Sequence, residues 1–180
     1  MKYLKSIIIV FIFLFSATIL CFAQDSKMMA SAYVSYNMPM GTTADNYKSS
    51  VGFQAQFEYL LTEDIGLDIT AGYIPWNFEN EVPDQTFTII PTLIGGRYYF
   101  MARGMSSYVG VDLGLYHTTF KTVSEKRPES KFGYSILGGV LFPMSDNLYV
   151  NSNISYTSIS TAGFTFTYIA LHAGLSFTFY

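Results

Sequence analysis

The residues able to do chemistry are few. Glu58, Asp68, Arg97 and Asp112 are the charges that fall inside the strand-like segments described below. If their side chains point into a closed interior, Arg97 must pair with one or more of the carboxylates, because a buried charge without a partner is costly. Two readings follow, a polar network that fills the interior or a narrow ion path. There are two histidines, His117 and His172. His172 falls on the same inward side and joins the expected network, while His117 sits near the outer end of a strand. A nucleophile needs a base within hydrogen-bond reach, and His117 is followed by Thr118-Thr119 rather than by a nearby serine. Cys21 is the only cysteine. Two histidines with so little thiol make a transition-metal site unexpected, and no cofactor motif is present. From Lys121 to Lys131 the chain carries Lys121, Lys126, Arg127 and Lys131 with Glu125 and Glu129. That stretch reads as a solvated loop, whose cations could also meet phosphate groups.

These residues sit in a chain of unusual balance. Hydrophobic residues make up 50% and aromatics 18%, but charged residues only 13%, about half the usual share for a soluble domain. The first 23 residues read as a cleaved signal peptide. Lys2 and Lys5 precede the apolar run Ile7 to Leu20, and Cys21-Phe22-Ala23 gives a small-x-small site before Gln24. A retained anchor is the alternative, but the run is shorter than the ~18–20 residues a spanning helix needs. A lipoprotein would want a small residue where Leu20 stands. Cleavage would leave residues 24–180 as one domain without cysteine. Without Lys2 and Lys5 the 10 basic residues fall to 8 against 13 acidic, a net charge of −5. That balance argues against nucleic acid as a partner.

No apolar run after Ala23 is long enough for a membrane helix, so the remaining way to span a bilayer is a sheet closed on itself. Alternation with a period of two supports it. Ala30, Ala32, Val34, Tyr36 and Met38 alternate with Ser31, Tyr33, Ser35 and Asn37. Val51, Phe53, Ala55, Phe57, Tyr59 and Leu61 alternate with mostly small or polar residues. Further strands are predicted over 66–76, 87–100, 108–120, 132–142, 148–158 and 166–180. The fourth has mixed faces and contains Pro91, which suggests a bulge and leaves the direction of Arg97 open. Connections alternate between tight turns (Thr62-Glu63-Asp64, MARGMS, PMSDN) and longer polar loops (GTTADNYKSS, NFENEVPDQT, KTVSEKRPESK), the layout of an outer-membrane barrel. The fold expected is therefore an all-β, eight-stranded antiparallel transmembrane β-barrel.

A soluble lipocalin-like carrier would show the same strand count with its apolar face inside. Here the polar face is Gly, Ser, Thr, Asn and Gln with few charges, which suits a crowded interior better than a water-facing surface. Aromatics gather at strand ends, Tyr36, Trp76, Phe78, Phe87, Phe120 and Phe132 at one end and Tyr59, Phe100, Phe142, Phe177 and Phe179 at the other. Two interfacial belts are the expectation.

The chain resembles the small outer-membrane β-barrel family, the group that includes OmpX and the membrane domain of OmpA. The carriers are Asn46-Tyr47-Lys48-Ser49, IIPTLIGGRYYF at 89–100, YVGVDLGLY at 108–116 and the final strand. The resemblance covers essentially the whole chain after the leader. It implies that Gly174, Phe177, Phe179 and Tyr180 form a C-terminal assembly signal read by the barrel-assembly machinery. The implied setting is the outer membrane, with its lipid and lipopolysaccharide as partners. It leaves function open among structural or surface-interacting barrels, narrow porin-like pores, and lipid-A-modifying enzymes that pair His with Ser in a His-x-Ser pattern this chain lacks. A non-enzymatic barrel with a side-chain-filled interior is the first expectation.

Overall fold

The structure, a computed structural model, describes residues 27–79, 85–102, 105–121, 126–161 and 165–179. The predicted leader and Tyr180 lie outside these residues. Eight strands follow one another: β1 (Met28–Met40), β2 (Ser50–Leu60), β3 (Ile65–Trp76), β4 (Thr86–Ala102), β5 (Met105–Lys121), β6 (Lys126–Pro143), β7 (Leu148–Ser160) and β8 (Thr165–Phe179). Each pairs antiparallel with the next, and β1 closes on β8 from Met28↔Phe179 to Met40↔Thr167. Closure leaves no sheet edge unpaired, which the hydrocarbon interior demands.

Strand faces follow the alternation. Val34, Phe53, Ile69, Val111, Ile136 and Leu175 point outward and are half exposed or nearly so, whereas Ser35, Asn37, Glu58, Asn151 and Ser176 point inward and are fully buried. That inversion belongs to a membrane barrel rather than a lipocalin-like carrier.

Three expectations about local structure are corrected. First, Pro91 makes no bulge. The β3–β4 ladder lapses between Ala71↔Thr92 and Ile74↔Ile89 but resumes in the same register, with no residue inserted. Proline removes one donor there without shifting the strand, and Pro91↔Tyr116 keeps its place on the β5 side. Second, much of 121–131 is not loop. Lys121↔Lys126 through Tyr116↔Lys131 extend the β5–β6 hairpin past the apolar band, invisible to a hydrophobic period because neither face is apolar there. Third, the outer aromatics do not form a single belt. Tyr36 and Phe132 face outward, but Trp76 is 1% exposed and Phe87 packs beside it inside the mouth.

The β1–β8 seam leaves no room at Gly174. A Cβ there would run into the backbone carbonyl oxygen of Ala32, and backbone atoms cannot step aside as a flexible side chain does. Gly174→Ala is therefore expected to cost about 1–3 kcal/mol through overpacking, and Gly174→Arg more. Urea titration of vesicle-inserted protein measures the loss. A Gly174→Ala variant as stable as the parent would mean the seam is looser than this register.

Candidate functional site

Alternation places Glu58 (β2), Asp68 (β3), Arg97 (β4) and Asp112 (β5) on the inner wall of four successive strands. The register then sets small residues beside the charges. Asp68 stands opposite Gly95 and Glu58, Arg97 opposite Gly66 and Gly110, and Asp112 opposite Gly95. A Cβ at Gly95 would crowd carboxylate oxygens of Asp112 and Asp68, so glycine there lets both carboxylates lie against the β4 backbone without shifting.

Arg97 is the hub. Its Nη1 lies 3.2 Å from Glu58 Oε2, and its Nη2 lies 3.7 Å from Asp68 Oδ1 and 4.0 Å from Asp112 Oδ2, all with side chains no more than 6% exposed. The guanidinium also sits 5.5 Å from the centre of the Tyr108 ring, a distance at which the ring face attracts a cation. Tyr99 donates its hydroxyl to both Glu58 oxygens, at 2.7 and 2.8 Å, and Gln56 Nε2 donates to Glu58 Oε2 at 3.2 Å. Thr70 donates to Asp68 Oδ1.

The chain of bonds then crosses the barrel. Tyr33 donates to Gln56 Oε1 (2.8 Å), Asn151 Nδ2 donates to the Tyr33 oxygen (2.7 Å) and to Ser176 (3.0 Å), and Tyr108 donates to Asn151 Oδ1 (2.7 Å). A set of tyrosine hydroxyls and one asparagine thus links β1, β2, β5, β7 and β8. The charges stand out in the sequence by their rarity within the strands, whereas these neutral members do not. The signal for Tyr33 and Asn151 is their place on the small-and-polar face of β1 and β7. For Tyr99 and Tyr108 the mixed register of β4 and the strand-end position hid it.

His172 faces inward as expected, but its Nε2 hydrogen-bonds Ser155 at 3.0 Å and its ring meets Tyr33 edge-on. It shares with Arg97 and Asp112 an interior void of about 20 Å³, which is room for about one water molecule. Above this layer the interior turns apolar. Ile74, Trp76, Ile89, Leu93, Tyr116, Ile159, Phe166 and Tyr168 form one buried cluster. A smaller one, with Met29, Leu137 and Leu141, surrounds Tyr99 and Tyr108.

Outside the barrel, His117 Nδ1 lies 2.8 Å from Ser130 Oγ, across the β5–β6 pairing. Separation in sequence hid this contact. Among the described residues no cluster of three or more His, Cys, Asp and Glu could hold a metal. Lys131 pairs with Glu129 at 2.7 Å. In β8, Phe177 faces outward and stacks with Phe179, which in turn approaches Phe57.

The family model for the outer membrane protein beta-barrel domain matches residues 9–179. Solved structures share the fold. Neisserial surface protein A is 16% identical, with a TM-score of 0.66 over 86% of this chain and 97% of that one. OprG of Pseudomonas aeruginosa is 12% identical, with a TM-score of 0.59 over 86% and 96%. Ail, the attachment invasion locus protein of Yersinia pestis, is 18% identical, with a TM-score of 0.57 over 86% and 98%. No curated protein matches the sequence significantly.

Proposed function

This chain belongs to the outer membrane protein β-barrel domain family, and on that premise we propose that it is a non-enzymatic, non-conducting barrel serving a structural or surface-interacting role. The protein resides in the outer membrane. The observation that carries the reading is the filled interior, where the void beside Arg97 is about 20 Å³. The aromatic cluster lies across the outer half of the same bore. A hydrated ion needs a continuous polar path wider than this, and ion pairs anchored on several strands do not swing aside independently. Mature protein starting at Gln24 is the working form, its leader removed after export. The exposed Lys121 and the extended β5–β6 hairpin are where lipopolysaccharide phosphates would be met. The closing strand, with Gly174, Phe177, Phe179 and Tyr180, is the segment the assembly machinery would read.

Planar-bilayer recording tests the reading. Purified barrel is expected to give no discrete conductance steps. Reproducible ohmic steps whose size changes in Glu58→Gln or Asp112→Asn would overturn it in favour of a narrow pore for ions or small solutes. Mass spectrometry of lipid A from cells with and without induced protein tests the enzymatic alternative, and no change in acylation is expected.

A further inference from the structure

The outer mouth of the barrel holds a cup that the interior network does not use. Its volume is about 240 Å³, and Tyr47, Phe87, Ile89, Ile159 and Phe166 supply its apolar walls. Ile89 and Ile159 are no more than 1% exposed, so the cup is blind on the side of the bore. Its rim carries Thr118, Glu129, Lys131 and Thr161.

The cup is built rather than left over. The connection after β1 makes a single 3-10 turn at Gly41–Thr43 and then folds inward. Tyr47 pairs its backbone with Phe78, its N–H bonds Thr43 O at 3.1 Å, and Lys48 N–H bonds Asn77 O at 2.9 Å. Thr43 Oγ1 accepts the N–H of Thr167 at 3.0 Å, pinning the turn to β8. The Tyr47 ring is thereby held 5.2 Å from both Phe87 and Phe166. Side chains locked this way pre-organise a site and lower the ordering cost of binding.

We propose that this cup binds one small, uncharged, ring-sized molecule carrying a hydroxyl, taken from the external medium and not passed through the barrel. Volume sets the size, since an apolar cavity of about 150 Å³ holds benzene and drug-sized ligands need roughly 300 Å³ or more. The walls set the apolar body, because aromatic rings offer edge and face contacts to another ring. The rim sets the charge. Lys131 and Glu129 neutralise each other at 2.7 Å, so an ionic ligand would have to break that pair. Thr118 donates its hydroxyl to the Glu129 carbonyl, which leaves its oxygen able to accept a hydrogen bond from a ligand hydroxyl.

Trp76 provides the readout. It is the only tryptophan in the chain, and its ring lies 5.3 Å from Phe166 and 6.3 Å from Tyr47, two walls of the cup. The mature barrel in phosphatidylcholine vesicles is titrated with 4-nitrobenzyl alcohol, whose nitro group quenches indole emission, and in parallel with 4-nitrobenzoate. Saturable quenching of Trp76 by the alcohol is expected, with binding at least tenfold weaker for the carboxylate. Thr118→Phe, which fills the cup, should remove the saturable part while keeping the unboiled gel mobility of the folded barrel. If that variant fails to fold, Thr161→Phe fills the cup from another wall. Quenching that rises linearly and equally in the filled variant, as lipid partitioning would give, overturns the proposal. So does equal affinity for the benzoate.

Discussion

Replacing Arg97 by Met is expected to destabilise the folded barrel by roughly 3–5 kcal/mol, the usual loss when one partner of a buried charge network is removed. Glu58, Asp68 and Asp112 would keep their positions on β2, β3 and β5 with no cation among them, in an interior where Glu58 is fully buried and the two aspartates nearly so. The loss should be read by urea unfolding from lipid vesicles, with the mobility of the unboiled band as a check on closure. Arg97→Lys should lose less, since it keeps the charge but not the flat fork that reaches Glu58 through one nitrogen and the aspartates through the other. The decisive comparison is a fourfold variant, Arg97→Met with Glu58→Gln, Asp68→Asn and Asp112→Asn. It should recover most of the stability, because the larger part of the single-variant loss is the uncompensated negative charge. If Arg97→Met is as stable as the parent, the ion pairs contribute nothing and the interior is held by its apolar clusters alone.

Leu171→Arg is expected to cost roughly 2–4 kcal/mol, the penalty for a cation facing lipid well inside the bilayer. Leu171 is half exposed on the outer wall near the middle of β8 and lies between Tyr36 and Ile154 on its neighbours. The effect should depend on depth. The same charge at Phe179, at the very end of β8, should cost only ~0–1 kcal/mol. Arginine at Ser145, in the exposed β6–β7 turn, should stay within about ±0.5 kcal/mol. Equal effects at Leu171 and Ser145 would mean that the outward face does not meet hydrocarbon.

The two predictions rest on different kinds of information. Strand number, the outward face and the setting of Leu171 were legible in the sequence, because a strand between lipid and a packed interior must alternate and the alternation is printed residue by residue. Strand β4 was the exception. Its inner face carries Ile89, Pro91 and Leu93 and its outer face Thr92 and Gly96, so period alone gave no direction for Arg97. Only pairing with β3 and β5 resolves it, since closing the ring leaves one register and turns Arg97 inward against three carboxylates.

The outer mouth is hidden from the sequence for a related reason. An aromatic residue at a strand end looks the same whether it meets the membrane interface or caps the bore, and Trp76 and Phe87 do the latter. What the sequence by itself determined is the class of structure, through composition, alternation and the lengths of its connections, all of which are local. What only the tertiary structure decided is who meets whom across the bore. Arg97 with its carboxylates, Asn151 with Tyr33 and Tyr108, and Tyr47 over Trp76 join strands whose spacing in the chain bears no relation to their distance across a closed ring.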